Sequence, residues 1–399
     1  MSNTGYFQYN MRTVVHSGCG AIVRIPALLQ GMGARRVLLI SDPGLKAVGI
    51  VDRVVSCFDN WQSGTMPTLA GVYTDIPPDA HSSAVNQCAA YAREIAADAI
   101  LAVGGGSVLD ASKAVKYALQ HQVLNIADML QSGIRSESWP AATHSGIPHL
   151  AVPTTAGTGA EASNAAVIYN EEVGIKGGIV APYLEPDIAV LDAQLTLGLP
   201  PGLTASTGMD ALTHALEGVA SPNANPFTDA HCMMAAQLIE KNLPLAVANG
   251  QDLDARHQML TASCMAIDGY VASLNATPVH NCAHAFGALF HIPHGDANGV
   301  FLPIVMEALP ELYIPNAERL AQALNMQAGG NSGEALLQDV IGRIRQLQQQ
   351  IGCATDLKRW DVSADRLEEI VMAVATDPIA MFYPIPPEKI AEITVKAIG

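Results

Sequence analysis

Four of the twelve histidines in this 399-residue chain lie in one fifteen-residue segment, HNCAHAFGALFHIPH, at positions 280–294. Neutral imidazole is the commonest protein ligand for a transition metal and a frequent proton carrier. His280 and His284 are four residues apart, so they share one face of a predicted helix. Pro293 and His294, which end the segment, and the following Gly295 are predicted to form a turn, which would let His294 fold back toward that face. Histidine number alone leaves a metal site and hydrogen-bonded core histidines both open.

A second group of metal-binding residue types occurs in TGMDALTHALEG, residues 207–218, where Asp210 and His214 are four apart on a predicted helix. Two helices and a turn could therefore bring one carboxylate and three imidazoles to one point. Such a set suits Fe²⁺, Zn²⁺, Mn²⁺ or Co²⁺ and does not distinguish among them. The bound ion would stabilise an alkoxide or polarise a carbonyl. For a single Asp/His pair, a solvated helix face is the alternative.

A candidate phosphate site lies in LAVGGGSVLDASKAV, residues 101–115, which is predicted to be a strand, a glycine turn and a helix. Consecutive glycines let backbone N–H groups approach an anion, and the start of a helix favours negative charge. Ser107 adds a hydroxyl, and the Asp110 carboxylate either reaches a ribose hydroxyl or stabilises the helix start. A tight turn without a ligand is the alternative.

Two further segments could contact a dinucleotide. PTTAGTGAE, residues 153–161, places three threonine hydroxyls after a predicted strand, whereas its match to the GxGxxG pattern is weak evidence by itself. Asp42 ends the predicted strand RVLLIS, where a carboxylate would bind ribose hydroxyls and repel a 2′-phosphate. This favours NAD over NADP. Alternatively, Asp42 only begins an Asp-Pro-Gly turn.

The elements that would position these residues change character along the chain. Residues 1–195 alternate strand and helix patterns, which predicts an α/β domain with a doubly wound parallel sheet. The Pro/Gly-rich stretch LGLPPGLTAS follows, and residues 196–399 read as helices rich in Ala, Leu and Met. We therefore predict an α/β N-terminal domain and an all-helical C-terminal domain.

Composition excludes several classes of partner. The net charge of −16 argues against binding to nucleic acid or an anionic membrane surface. A chain that is 49% apolar and 15% charged fits a compact homo-oligomer. We see no signal peptide and no run of about eighteen apolar residues. Seven widely spaced cysteines without a CxxC pair suit a reducing cytoplasm.

Four segments in this order, GGGSVLDASKA, PTTAGTGAE, TASTGMDALTHALEG and the histidine segment ending in PHGDAN, closely resemble the iron-containing (type III) alcohol dehydrogenase family. That family includes lactaldehyde reductases, 1,3-propanediol dehydrogenases and iron-dependent ethanol dehydrogenases, and the resemblance covers about residues 12–395. It implies a dehydroquinate synthase-like fold, with a dinucleotide-binding α/β domain, a helical metal-binding domain and an active site in the cleft between them.

The resemblance also implies roles for individual residues. His284 matches a family histidine close to substrate and nicotinamide and is the candidate proton relay, whereas His291 matches no functional position. The metal ligands implied are Asp210, His214, His280 and His294. Pyrophosphate would bind at Gly104, Gly105, Gly106 and Ser107. Asp110 would lie near the nicotinamide, and Lys176 would lie beside the cofactor. Asp42 would bind the ribose of NAD. The adenine and ribose would be lined by Thr154, Thr155 and Thr158.

The implied activity is reversible hydride transfer between NAD and a small alcohol or aldehyde, with Fe²⁺ or alternatively Zn²⁺, in a cytoplasmic homodimer or assembly of dimers. Segments 275–278 and 381–384, and the sequence His-Ala-Phe-Gly at 284–287, depart from common family patterns. These departures leave the substrate open. The alternatives are a maleylacetate reductase-like enzyme, a non-redox lyase of the dehydroquinate synthase type, and a non-enzymatic ligand-binding scaffold.

Overall fold

The computed structural model describes residues 6–59, 66–137, 144–327 and 329–399. The chain forms two compact units. One contains Met11–Thr155 and Gly159–Leu197, and the other contains Gly198–Gly399 together with the first ten residues and Ala156–Thr158. The first unit is built on strands and the second is helical, which confirms the predicted fold class.

The α/β unit is built around a parallel sheet with strand order β1-β9-β6-β4-β2-β3. Leu38 and Ile40 face a core shared with α4 and α5, whereas Val37 and Leu39 face a core shared with α1 and α3. The sheet is therefore covered on both faces, as expected of a doubly wound parallel sheet. The strands of this sheet are β1 Val14–Ser17, β2 Arg36–Ile40, β3 Thr68–Tyr73, β4 Ala99–Gly104, β6 His149–Pro153 and β9 Ile188–Leu191.

A smaller sheet with strand order β5-β8-β7 accompanies it, and its β7–β8 pair is antiparallel. These three short strands were not predicted from the sequence. They are β5 Ile134–Ser136, β7 Ala165–Asn170 and β8 Ile175–Val180. The α-helices of this unit are α1 Ile25–Gly31, α2 Pro43–Ala47, α3 Ile50–Val55, α4 Ser82–Glu94 and α5 Gly106–Gln120.

Close helix packing shapes the second unit. A Cβ on Gly218 or Gly269 would lie 2.4 Å from the sulfur of Cys232, so the absence of a side chain allows α6 and α8 to approach α7. Most of the buried apolar side chains of this unit form one cluster among the described residues. Its helices are α6 Pro201–Ala220, α7 Pro226–Ala248, α8 Leu253–Ala272, α9 Pro278–Phe290, α10 His294–Ala308, α11 Pro310–Tyr313, α12 Ala317–Ala323, α13 Gly333–Ile351, α14 Leu367–Thr376 and α15 Pro387–Ile398.

The observed division differs from the predicted boundary at residue 195, because two short segments belong with the helical unit. Near the N-terminus, the Tyr9 hydroxyl donates to Asp268 Oδ2 at 2.7 Å, and its ring stacks on Phe227 with centroids 5.0 Å apart. In the other segment, a Cβ on Gly157 would lie 2.8 Å from Thr207. Long-range contacts of this kind leave no mark in local sequence pattern.

The predicted turn at the end of the histidine segment is wrong. His294 is the first residue of α10, and Pro293 is its N-cap with φ −56° and ψ 134°. The fixed φ of proline gives a well-defined entry to a helix as readily as to a turn. His294 therefore lies on a helix end and not in a loop.

Within the described ranges, no single helix has the length and apolar composition of a membrane span. The pair His294–Ala308 and Pro310–Ala323 meets those criteria only when its two parts, bent by 89°, are taken together.

Candidate metal centre and cofactor site

Three of the four predicted metal ligands meet in the helical unit. Asp210 on α6, His280 on α9 and His294 on α10 offer ligand atoms that all lie within 4.8 Å of one another. Asp210 Oδ1 is 3.7 Å from His280 Nε2 and 3.4 Å from His294 Nε2. One carboxylate and two imidazoles form a mixed oxygen and nitrogen donor set that fits a divalent transition metal. We call these three residues the metal group.

His214, the fourth predicted ligand, lies beside the metal group without being one of its three members. It is one turn after Asp210 on α6, and its ring stacks on that of His280 with centroids 4.4 Å apart. Its Nδ1 is buried and has no hydrogen-bond partner among the described residues. The His214 imidazole is also close enough to the backbone of Gly157 for a hydrogen bond to act on its pKa, so its burial alone does not identify it as a donor, and its role as fourth ligand stays a prediction.

Glu217 was not among the predicted site residues, and it lies on the same face of α6 as Asp210 and His214. Its Oε2 is 2.5 Å from His280 Nδ1, and its Oε1 accepts a hydrogen bond from the backbone N–H of Val279 at 2.7 Å. The i, i+4, i+7 spacing of an acidic, a histidine and an acidic residue was the available signal.

A second missed residue is Asn298, four residues after His294 on α10. Its Nδ2 donates to Asp210 Oδ1 at 2.7 Å and is 3.1 Å from His294 Nε2. The amide therefore contacts two members of the metal group. Nothing in its sequence position distinguishes it from any polar residue in a helix.

Burial and neighbouring charge oppose each other in the metal group. Burial raises the pKa of Asp210, but the imidazoles of His214, His294 and His280 outweigh it and hold that pKa well below its usual range. Burial lowers the pKa of His280, but the Glu217 and Asp210 carboxylates raise it to about 9. Burial lowers the pKa of His214 to about 3.

The predicted proton relay, His284, lies next to the metal group on α9. Its ring centroid is 5.2 Å from that of His294, and its Nδ1 is 3.7 Å from Asp377 Oδ1. His291, to which no function was assigned, ends α9 as an exposed C-cap residue in the left-handed conformation, with φ 54°. The relay role of His284 stays a prediction.

The glycine turn follows β4 in the α/β unit. Gly104 ends the strand, Gly105 is the N-cap of α5, and Gly106 begins the helix. A Cβ on Gly104 would lie 2.4 Å from Val108 Cβ, and one on Gly105 would lie 3.3 Å from Thr155 Oγ1. Only glycine fits the tighter position, and the helix start leaves backbone N–H groups for an anion.

Predicted cofactor residues follow three neighbouring strands. Thr154 follows β6 directly. Its backbone N–H donates to the carbonyl of Gly104, the last residue of the neighbouring strand β4, at 3.0 Å. On the other side, Asp42 follows β2 and caps α2 by accepting from the N–H of Leu45 at 2.9 Å. This edge holds the carboxyl ends of β2, β4 and β6, where doubly wound sheets bind ligands. Thr158 lies in the short segment that belongs to the helical unit.

Two predicted cofactor residues are engaged with protein groups. Asp110 accepts from the N–H of Val167 at 3.1 Å and pairs with Lys113 Nζ at 2.8 Å. Lys176 Nζ lies 2.7 Å from Asp79 Oδ1. The backbone N–H of that aspartate donates to Ser107 Oγ at 3.0 Å. The cofactor contacts of Asp110 and Lys176 stay predictions.

Comparison with known proteins covers both units. The family model for iron-containing alcohol dehydrogenase matches residues 12–193, and that for the C-terminal part of the Fe-containing alcohol dehydrogenase family matches residues 204–398. Long-chain-alcohol dehydrogenase 1 of Geobacillus thermodenitrificans is 36% identical over 86% of this chain and 81% of its own.

Solved structures agree with the sequence matches. The crystal structure of a 1,3-propanediol oxidoreductase is 32% identical, with a TM-score of 0.87 over 98% of this chain and 100% of its own. The sulfoacetaldehyde reductase of Bifidobacterium kashiwanohense, solved in complex with NAD⁺, is 26% identical, with a TM-score of 0.83 over 99% of each chain.

Proposed function

The chain belongs to the iron-containing alcohol dehydrogenase family, and on that basis we propose that it transfers a hydride between NAD(H) and a small alcohol or aldehyde. The observation that carries the proposal is the metal group, in which Asp210, His280 and His294 offer donor atoms within 4.8 Å of one another. When bound there, a divalent ion supplies Lewis acidity that lowers the pKa of an alcohol and polarises a carbonyl.

The residues of the metal group would hold and orient the ion, with His214 as a fourth donor. His284 would carry the proton between substrate and solvent. Because its Nδ1 faces Asp377, its Nε2 is the nitrogen available for that exchange. Hydride transfer needs no side-chain nucleophile, so the main task of the protein is to orient cofactor and substrate.

The cofactor we propose is NAD, with Fe²⁺ at the metal group and Zn²⁺ as the alternative ion. The glycine turn from Gly104 to Ser107 would hold the pyrophosphate. Thr154 and Thr155 would lie along its neighbouring strand end, and Asp42 would bind the ribose. The related sulfoacetaldehyde reductase crystallised with NAD⁺ supports this cofactor. Zinc remains the alternative because it binds such ligands more tightly than iron does.

We also propose a cytoplasmic protein that forms a homodimer or an assembly of dimers. All seven cysteines lie in the described ranges as free thiols, which suits a reducing compartment. The low charged fraction, 15%, fits a surface that is partly covered by another copy.

The direct test is NADH oxidation by anaerobically purified, Fe²⁺-loaded protein with a series of short aldehydes, beside a Zn²⁺-loaded sample. Turnover with iron and little with zinc would support both the reaction class and the metal. Tight NADH binding without turnover for any short aldehyde would contradict the proposal. Acidic and bulkier carbonyls would then test the maleylacetate reductase alternative, and NAD-dependent conversion without net NADH change would indicate the lyase alternative.

A further inference from the structure

Glu217 is a buried carboxylate that the proposed reaction does not use directly. Its side chain is 0% exposed, and each of its two oxygens has a partner on α9. Oε2 contacts His280 Nδ1 at 2.5 Å, and Oε1 accepts from the N–H of Val279 at 2.7 Å. Burying a carboxylate is unfavourable unless its charge is compensated. These two contacts therefore have to offset the free-energy cost of removing the Glu217 carboxylate from water.

One contact fixes the ring of a predicted metal ligand. A carboxylate can only accept hydrogen bonds, so His280 must carry its proton on Nδ1 to make this contact. In the neutral imidazole, the lone pair is then on Nε2, which is the nitrogen 3.7 Å from Asp210 Oδ1. Nε2 is buried and has no hydrogen-bond partner among the described residues.

The other contact fixes the start of the helix that carries His280. Val279 is the second residue of α9, whose N-cap, Thr277, makes no side-chain capping bond in the described structure. The first N–H groups of a helix need partners from outside the helix. Glu217 supplies one from α6, so the same carboxylate fixes both the position of the helix end and the orientation of the ring.

We propose that Glu217 is a positioning residue for the metal centre. It holds His280 in the tautomer and the ring orientation that present Nε2 to the ion. This inference rests on the proposed function only in requiring a metal at the Asp210, His280 and His294 group. Outer carboxylates that hold a ligating histidine raise its basicity and fix its tautomer, and their loss lowers metal affinity about 10- to 100-fold.

Two substitutions separate this role from space filling. Glu217→Gln keeps the shape, but its oxygen can serve only one of the two donors. If that oxygen stays with Val279, its NH₂ group faces His280 Nδ1 and favours the tautomer with the proton on Nε2. Glu217→Asp is one methylene shorter but still only accepts. The proposal therefore predicts that Asp preserves metal binding better than Gln, whereas space filling predicts the reverse order.

The experiment is an anaerobic Co²⁺ titration of the full-length, metal-stripped protein, followed by visible absorption and by competition with a chelator. We expect E217Q to bind Co²⁺ about 10- to 100-fold more weakly than the unsubstituted protein and with an altered absorption band. E217D should lie between the two. The matched control is E240Q, which removes a largely buried carboxylate paired with Arg343 on the same unit and should bind Co²⁺ normally.

Thermal unfolding of each metal-free variant checks the fold. E217Q with unchanged affinity and spectrum, or E217D weaker than E217Q, would overturn the proposal. If metal-free E217Q does not fold, E217D is compared with the unsubstituted protein instead. A loss of Co²⁺ affinity smaller than about tenfold then supports the proposal, and a larger loss contradicts it. Because Co²⁺ binding is measured without substrate, an inactive protein that still shows this order would refute the proposed reaction and leave the role of Glu217 standing.

Discussion

At the scale of single residues, each donor of the metal group is held by another side chain. Glu217 contacts His280, and Asn298 contacts both Asp210 and His294. Donor geometry therefore depends on residues outside the metal group. Chemically small changes at those supporting positions should therefore weaken metal binding, whereas changes at exposed residues should not affect it.

His284 should be needed for turnover and not for metal binding. Its ring centroid is 6.5 Å from that of His280, and it is not one of the residues that form the metal group. We expect His284→Ala to keep its metal content and to lower kcat about 100-fold or more, the usual contribution of a positioned proton carrier. Metal analysis and steady-state kinetics measure the two effects.

The control for this prediction is His291→Asn at the end of the same helix. Asparagine tolerates the left-handed conformation of that position, so both metal content and kcat should stay unchanged. Loss of metal in His284→Ala would show that His284 is a ligand and that the assignment of the histidines is wrong.

Glu161 should make the α/β unit less stable as the pH rises. Burial raises the pKa of this carboxyl group from 4.5 to about 7, although its own backbone N–H and the Lys113 ammonium oppose the shift. The folded state therefore binds more protons than the unfolded state between pH 4.5 and about 7, and stability falls across that window.

Glu161→Gln removes the titration while keeping the shape. Relative to the unsubstituted protein, it should gain stability from pH 5 to pH 8 by up to roughly 3 kcal/mol, at about 1.4 kcal/mol per unit of pKa. Urea unfolding at the two pH values checks this. An equal stability difference between the proteins at both pH values would contradict the shifted pKa.

The sequence predicted the candidate donors because helical spacing is a local property. Asp210 with His214, and His280 with His284, follow from four-residue intervals. Which histidines meet the aspartate depends on how α6, α9 and α10 pack, and that packing is not local. The spacing of Glu217 from Asp210 and His214 was a local signal for their shared face, but its contact with His280 depends on the packing of another helix.

At the scale of elements, the turn between β4 and α5 has no room for a side chain at its first glycine. Gly104→Ala would place a Cβ 2.4 Å from Val108 Cβ, so the strand and helix would have to separate. We expect a loss of about 1–3 kcal/mol in stability, as for other overpacked sites, and weaker NAD binding. Urea unfolding and NADH fluorescence titration measure the two.

The matched control is Gly342→Ala on α13, where an added Cβ meets nothing within 4 Å. Alanine is the better helix former by about 1 kcal/mol, so this variant should be more stable than the unsubstituted protein and bind NADH equally well. If Gly104→Ala bound NADH as tightly as the control variant, this turn would not be the pyrophosphate site.

Elements with strong local patterns were predictable, and the others were not. The strand β4 and the helix α5 were both predicted, because LAVGGGSVLDASKAV combines an apolar run, a glycine turn and a helical pattern. The short strand β8 escaped because Gly177 and Gly178 break its apolar pattern, whereas the apolar run AAVIY of β7 was an available signal that was missed. The predicted turn before α10 failed because proline followed by a short polar stretch is compatible with both a turn and a helix start.

At the scale of the whole molecule, metal binding should stabilise the helical unit selectively. The metal group draws its donors from three helices, so an unfolded chain does not retain the site. At a free metal concentration 100-fold above the dissociation constant, mass action contributes about 2.7 kcal/mol. For a unit of this size, that raises its Tm by roughly 5–10 °C.

Calorimetry with increasing Co²⁺ measures this effect, and Asp210→Asn is the comparison. The variant should fold without metal and show little or no shift. An equal rise in Tm for both proteins would place the bound ion elsewhere in the molecule.

The attachment of the N-terminus to the helical unit has a consequence for biosynthesis. Tyr9 is made before its partner Asp268, which follows about 260 residues later, roughly 13–50 s at 5–20 residues per second. The α/β unit, which ends at Leu197, is complete before Asp268 is translated. The nascent chain therefore carries an undocked segment around Tyr9 while the α/β unit is made, and that segment docks only after α8 has emerged.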